Sequence, residues 1–168
     1  MSVNIEVQMR VNIMYNFLVH HTYTSINGIF STISGFFFVY FGVQYMEAGN
    51  TQSMMVYYIL GFLFVIGNPI ILYSKAKRQV KNTPMFQKPI TYELTNEGIV
   101  VSQEDQASEL AWDEVMKVTA SSSSLIIYLS KVRALILPKA DFGEQYATAV
   151  QLISTHVPPK KVKIRTMG

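Results

Sequence analysis

Residues 54–81 read MMVYYILGFLFVIGNPIILYSKAKRQVK, and this stretch decides the class of the protein. Its first twenty residues carry no charged side chain, and four basic residues then follow within seven positions. A helix of that length reaches roughly 30 Å, the thickness of the hydrocarbon core of a bilayer. The stretch therefore predicts a membrane span that ends in a basic flank.

Another apolar run, GIFSTISGFFFVYFGVQYM at 28–46, precedes this stretch and is therefore the first of the two runs along the chain. The connecting segment 47–53 is short, so the two runs predict an antiparallel helical hairpin over residues 28–73. A buried hairpin in a soluble protein is disfavoured, because it would keep a polar stripe that neither run has. A cleaved signal peptide is also disfavoured, because its apolar region is shorter than this run.

The distribution of basic residues predicts the orientation of the hairpin. The connecting segment has no Lys or Arg, whereas Arg10 lies before the first run and 13 of the 14 Lys and Arg follow residue 73. Lys and Arg are retained on the cytoplasmic side of a membrane. We therefore expect a two-span protein of the cell membrane with both termini in the cytoplasm.

The composition excludes several classes of function. Cysteine is absent, which excludes disulfides, thiol nucleophiles and Cys-ligated zinc. The net charge of +3 is too small to indicate a nucleic-acid partner. The adjacent His20 and His21 would point in different directions on a helix, and the sequence has no nucleophile motif or phosphate-binding glycine loop. We therefore expect a non-catalytic protein with no cofactor and no metal site.

Small and polar residues at helical spacing predict where the two spans pack. Glycines recur every seven residues in the first run, and such positions let a partner backbone approach closely. The predicted packing residues are Gly28, Ser31, Gly35, Gly42, Gly61 and Asn68. The simplest partner is the other helix of the hairpin, with a homo-oligomer or another membrane protein as alternatives. Asn68 either bonds to backbone freed by Pro69 or marks a functional kink.

The basic flank lies in a segment, 74–88, that we interpret as a juxtamembrane linker. Its bases are expected to contact the anionic inner leaflet, where each contributes about 1 kcal/mol. An equally simple alternative is a topology signal with no other role. The predicted membrane-surface residues are Lys75, Lys77, Arg78 and Lys81.

Residues 89–157 predict a cytoplasmic domain of mixed α and β structure. Short alternating runs separated by polar turns, beginning with PITYELTNEGIVVS at 89–102, indicate an antiparallel sheet. Apolar residues from Phe142 to Ile153 then follow a helical period, after a helix-capping pair formed by Asp141 and Glu144. One amphipathic helix is therefore expected to close the domain.

The two ends of the chain complete this division. Within residues 1–27, alternation from Val3 to Ile13 predicts a strand, which either joins the sheet or lies extended on the membrane surface. A helix with aromatic residues at headgroup depth is expected to follow it. Residues 158–168 form a basic tail.

Several motifs resemble the YcxB-like family of membrane proteins. They are MYNFLVHHTYTSINGIFS at 14–31, YELTNEGIVVS at 92–102, LAWDEVMKV at 110–118, LIIYLS at 125–130 and LILPKADF at 135–142. The resemblance implies two membrane spans and a cytoplasmic domain of pleckstrin-homology-like (PH-like) fold, a β-sandwich or partial barrel capped by a C-terminal helix. The signature residues are Trp112, Asp113, Pro138 and Lys139.

Two of the signature residues can also be interpreted from the sequence pattern without the family resemblance. Trp112 shares the inward phase of its strand with Leu110, which favours a core position over an exposed recognition site. Lys139 is expected to be solvated, with contact to a phosphate or a partner as the alternative.

The sequence favours a non-catalytic interaction module held at the inner leaflet by the hairpin, with the bilayer and an unidentified protein as partners. The resemblance leaves an alternative, because some proteins with this type of domain are linked to immunity against leaderless bacteriocins. A second alternative is an accessory subunit of a membrane transporter.

Overall fold

The computed structural model describes residues 2–164 and divides into two compact units. The helical unit is Leu18–Arg78. The sheet unit contains the described residues up to Phe17 and from Gln79 onward. Residues 165–168 of the basic tail lie outside the described residues.

Six α-helices and eight strands are present in the described chain. The helices are α1 Val11–Tyr23, α2 Ile26–Glu47, α3 Thr51–Phe62, α4 Asn68–Asn82, α5 Lys139–Phe142 and α6 Tyr146–His156, and a π-helical segment, Leu63–Gly67, joins α3 to α4. The strands are β1 Val3–Val7, β2 Ile90–Leu94, β3 Gly98–Gln103, β4 Gln106–Ala111, β5 Lys117–Ala120, β6 Ser124–Tyr128, β7 Ala134–Pro138 and β8 Val162–Lys163.

The strands form two four-stranded sheets, in the orders β1-β2-β3-β4 and β7-β6-β5-β8. Neighbouring strands are antiparallel, except that β8 runs parallel to β5. The prediction of a helical hairpin with an α+β domain and a C-terminal helix is confirmed at this level.

The core of the sheet unit lies between the inner faces of the two sheets and α6. Alternate residues point inward, such as Val3 and Ile5 on β1 and Leu125 and Ile127 on β6, and Ile153 contributes from α6. This alternation is the period-two pattern of strands that bury one face.

The outer face of the second sheet is also covered, by the part of α1 that belongs to the sheet unit. Ile126 and Tyr128 point outward from β6 and are nevertheless buried. The ring of Phe17 lies 6.3 Å from that of Tyr128, and Asn16 Nδ2 donates to Ser123 Oγ at 3.3 Å. The beginning of α1 is therefore a packing layer of this unit.

The N-terminal strand joins the first sheet but is shorter than its alternation predicts. It pairs with β2 from Val3 opposite Leu94 to Val7 opposite Ile90, and the chain is helical from Val11. The residue before Ile90 is Pro89, which has no N–H to continue the ladder. The strand predicted as far as Ile13 therefore ends at Val7.

The segment interpreted as a linker begins as helix. Helix α4 continues to Asn82, so residues 74–82 extend the second apolar helix. It stops before Pro84, because a residue that precedes proline disfavours the helical region and Thr83 is extended. A 3₁₀ turn, Pro84–Gln87, leads into the first sheet.

The C-terminal part differs from the prediction in two places. Gly143 has a φ of +53°, a conformation that suits glycine, and it separates α5 from α6. Asp141 and Glu144 therefore do not cap one continuous helix. Val162 of the basic tail pairs with Val118, so the described tail contributes a strand.

Candidate membrane anchor and signature residues

The helical unit contains two helical stretches that are long and apolar enough to cross a membrane. They are Ile26–Glu47, with 22 residues, and Thr51–Asn82, with 32 residues. Large apolar side chains are exposed on both: Phe30 is 67% exposed and Ile59 is 57% exposed. An exposed apolar surface of this kind is typical of contact with lipid or a partner. The two stretches suggest membrane association.

Three glycines lie where the two helices of the hairpin touch. A Cβ atom added to Gly35 would lie 2.9 Å from Val65 Cγ2, and one added to Gly61 would lie 2.8 Å from Val39 Cγ2. At Gly42 it would lie 2.7 Å from the ring of Tyr58. The absence of a side chain at these positions lets α2 and its neighbour approach closely.

Gly28 has a different environment from the other glycines of α2. An added Cβ would lie 1.8 Å from the carbonyl oxygen of Thr22, at the turn between α1 and α2. Ser25 caps α2 there by accepting a hydrogen bond from the Gly28 N–H at 3.1 Å. The lack of a side chain at Gly28 therefore makes the turn into the hairpin possible.

Asn68 links the two helices by a hydrogen bond. Its Nδ2 donates to Ser31 Oγ at 3.0 Å and to the carbonyl oxygen of Phe64 at 3.4 Å. The second bond goes to a backbone carbonyl one helical turn before Asn68. The bond to Ser31 was not predicted, although both residues were identified as packing positions.

The bases of the predicted membrane surface lie along one side of α4. All four are exposed, whereas Leu72 and Ala76 on the opposite side are buried. Within the described part of the chain, the salt bridge found joins Lys88 to Glu104, so none of the four is neutralised there. These bases are Lys75, Lys77, Arg78 and Lys81.

Trp112 connects three parts of the sheet unit. It lies in a 3₁₀ turn after β4, is 7% exposed, and donates from Nε1 to the carbonyl oxygen of Thr95 at 3.0 Å. Its ring stacks on His156 at the end of α6, with centroids 5.5 Å apart and planes 9° apart. Trp112 is therefore buried, while the neighbouring Asp113 is exposed.

Pro138 and Lys139 form the junction between β7 and α5. Pro138 lies opposite Ser124 at the end of its strand. The Lys139 N–H donates to the carbonyl oxygen of Ser123 at 2.9 Å, and its Nζ lies 5.6 Å from the centroid of the Tyr146 ring. Lys139 is thus half-buried over an aromatic ring, an interaction that neither reading of the sequence included.

The outer face of the first sheet is acidic. Glu93 and Glu109 lie on either side of Val100 across three strands, and Glu97 and Glu114 lie near the turns of the same face. These four carboxylates surround a cleft of about 480 Å³ with no Lys or Arg in its lining. Among residues 2–164, no group of three or more His, Cys, Asp or Glu side chains is placed to hold a metal ion.

Comparison with known proteins gives one finding. The model of the family described as YcxB-like protein matches residues 94–153, about a third of the chain. Comparison with curated proteins and with solved structures found no match. The matched residues run from the end of β2 into α6 and include Trp112 and Lys139. This segment of the sheet unit is therefore YcxB-like, which confirms the family resemblance that its motifs indicated.

Proposed function

We propose that this protein is a non-catalytic membrane protein that presents a PH-like interaction module to the cytoplasm. The hairpin α2–α3–α4 crosses the membrane twice, and the sheet unit lies on the side of the two termini. The observation that carries the proposal is the exposed apolar surface of two helices that are each long enough to span a bilayer.

Two features support a PH-like fold for the sheet unit. Two four-stranded sheets face one another across a common core, as in a sandwich or partial barrel. The C-terminal helix α6 packs into this core through Ala149, Leu152 and Ile153. A solved structure of the sheet unit in which the two sheets share no core, or in which α6 is undocked from that core, would contradict this assignment.

The orientation is supported by the unpaired bases of α4. They are separated from the apolar part of the helix by one side chain, Ser74, and no described carboxylate neutralises them. The loop between α2 and α3 has no Lys or Arg. Since bases near the ends of spans remain cytoplasmic, this distribution supports the proposal that both termini lie inside.

The acidic face of the first sheet favours a protein partner over anionic lipid for the module itself. Glu93, Glu97, Glu109 and Glu114 would be repelled by an anionic leaflet, whereas the bases of α4 would be attracted to it. The bilayer contact is therefore assigned to α4 and the hairpin, and the partner contact to the sheet unit.

Single cysteines test the topology cleanly, because the chain has none of its own. Ala48→Cys lies in the loop of the hairpin and Ser122→Cys lies in an exposed turn of the sheet unit. In intact cells we expect an impermeant maleimide to label Ala48→Cys and to label Ser122→Cys only after permeabilisation. Labelling of Ser122→Cys in intact cells, or recovery of the protein from the soluble fraction, would overturn the proposal.

The two alternatives from the sequence predict different results in a cellular assay. An immunity protein would raise survival of a sensitive strain exposed to leaderless bacteriocins, and a transporter subunit would co-purify with a larger membrane protein in detergent. The interaction module proposed here requires neither result, and it requires a partner that binds the sheet unit.

A further inference from the structure

The sheet unit contains a second cleft, of about 650 Å³, at the end where β3 turns into β4 and β7 begins. This volume lies within the roughly 300–1,000 Å³ of small-molecule sites. Phe86, Val101 and Leu135 give it an apolar lining, and Tyr92 reaches it from the inner face of β2. We call it the Tyr92 cleft.

One wall of the Tyr92 cleft is the 3₁₀ turn Pro84–Gln87, and side chains hold this wall in place. Gln103 Nε2 donates to the carbonyl oxygens of Met85 at 2.8 Å and of Lys88 at 3.0 Å. Gln8 Nε2 donates to the carbonyl oxygen of Phe86 at 3.1 Å. The cleft is therefore a built feature of the fold and not a gap beneath a loose loop.

Tyr92 is a polar group without a partner in this cleft. The residue is 3% exposed, and its hydroxyl forms no hydrogen bond with any described residue. Among the described residues, the buried side-chain polar atoms without a partner are Thr119 Oγ1 and Ser124 Oγ, so the Tyr92 hydroxyl opens onto the cleft and is not sealed in the core. Burial also raises the pKa of Tyr92 to about 12, so at neutral pH the hydroxyl is a donor.

The rim of the Tyr92 cleft has one cation that is not neutralised. Lys88 is paired with Glu104. Arg133, at the start of β7, is exposed and forms no ion pair with the residues that the structure describes. The charge left at the rim is thus positive, above an apolar lining and the hydroxyl donor of Tyr92.

We propose that the Tyr92 cleft binds a small aliphatic carboxylate, with its chain against Phe86, Val101 and Leu135 and its carboxylate between the Tyr92 hydroxyl and Arg133. This site deepens the proposed function, because it gives the interaction module a ligand. It does not depend on the topology of the hairpin. Guanidinium is well suited to a carboxylate, because its N–H groups donate in a planar fork.

Photo-crosslinking of the full chain in nanodiscs of phosphatidylcholine tests the site. The probe is a diazirine derivative of octanoic acid, and peptide mapping locates the crosslinks. We expect crosslinks in residues 84–88 and 101–108 that excess octanoate removes and octyltrimethylammonium does not. Crosslinks confined to residues 26–82, which report partition into the bilayer, would overturn the proposal.

Matched variants distinguish a site from general charge attraction. Arg133→Gln removes the rim cation, and Lys131→Gln removes an exposed cation two residues away that does not line the cleft. We expect Arg133→Gln to raise the octanoate concentration needed for competition about tenfold, with Lys131→Gln unchanged. Tyr92→Phe, which keeps the ring, is expected to raise it several-fold.

Equal competition curves for the Arg133 and Lys131 variants would overturn the assignment of the carboxylate. Competition by octyltrimethylammonium equal to that by octanoate would do the same. Each of these results can be obtained whether or not the cysteine-labelling topology holds, so failure of the ligand assignment and failure of the membrane topology are distinguishable.

Discussion

The glycines of α2 and α3 affect the hairpin through the space that they leave empty. On the second apolar helix, Gly61 has little space for a side chain, because an added Cβ would lie 2.8 Å from Val39 Cγ2 and 3.3 Å from the Val39 backbone nitrogen. Gly67 is also helical, but its added Cβ would have no atom nearer than Leu63 Cδ2 at 3.9 Å. Substitution of each glycine by alanine therefore gives a matched comparison, with a close contact at Gly61 and free space at Gly67.

We predict that Gly61→Ala destabilises the hairpin and Gly67→Ala does not. Alanine improves helix propensity at both sites by about 1 kcal/mol, but overpacking costs about 1–3 kcal/mol at Gly61 alone. Thermal unfolding in mild detergent, followed by circular dichroism, should show a lower midpoint for Gly61→Ala than for Gly67→Ala. Equal midpoints would show that close approach at Gly61 is not needed.

Tyr92 makes the stability of the sheet unit depend on pH in the alkaline range. Its pKa is about 12 in the folded protein and 10.0 without burial. The folded state favours the neutral phenol of Tyr92, so the free energy of unfolding is unaffected by this group below pH 10. It decreases as the pH rises from 10 to 12, because the phenol ionises more easily in the unfolded chain. The integrated loss is about 3 kcal/mol, since each pH unit between the two values contributes about 1.4 kcal/mol.

We predict that Tyr92→Phe loses less stability than the wild type between pH 10 and pH 12. All other ionisable groups are the same in the two proteins, so the difference between the two urea-unfolding curves isolates Tyr92. Parallel loss in both proteins would show that Tyr92 ionises without a penalty in the folded state.

At the scale of the element, the second apolar stretch is interrupted where it meets α2. The π-helical segment Leu63–Gly67 widens the helix by one residue just before Asn68 and Pro69. Such segments are found where the regular hydrogen-bond ladder is disturbed, and proline disturbs it by lacking an N–H. Asn68 lies directly after the segment and bonds to Ser31.

We predict that Asn68 and Ser31 are energetically coupled. In a double-mutant cycle with Asn68→Leu and Ser31→Ala, the coupling free energy should be about 0.6 kcal/mol and at most about 1.7 kcal/mol, the average and maximum for hydrogen bonds between membrane helices. The measurement is the free energy of unfolding in mixed micelles with increasing SDS. Additive effects of the two substitutions would contradict the bond.

At the scale of the whole molecule, the distribution of charge divides the chain into a membrane part and an aqueous part. We predict that replacing Lys75, Lys77, Arg78 and Lys81 together by Gln increases the fraction of chains with inverted topology, because bases act within about 15–20 residues of the span ends. Maleimide labelling of Ser122→Cys in intact cells measures this fraction.

A matched control for that experiment lies in the same chain. The control replaces four bases that are far from the spans along the sequence, namely Lys117, Lys131, Lys160 and Lys163. Their replacement by Gln changes the net charge by the same amount. We expect the control to leave the topology unchanged. Equal inversion in both variants would show that net charge, rather than position, orients the hairpin.

Much of the architecture follows from periodicity that the sequence displays directly. The uncharged runs predicted two long apolar helices, and the alternating runs after Pro89 predicted the strands, because burial of one face imposes a period of two. The family resemblance also followed from short motifs such as LAWDEV. These features depend on local side-chain chemistry, so the sequence alone determines them.

The tertiary structure decided which residues meet. The alternation from Val3 to Ile13 does not reveal that pairing stops at Val7, because the stop is set by Pro89, which lies just before the partner strand β2. The stack of Trp112 on His156, the bond of Asn68 to Ser31 and the cleft beneath Tyr92 each join residues distant in the sequence. A single sequence sets the preference of each side chain for burial, whereas the partner of a buried group is fixed only when the chain has folded.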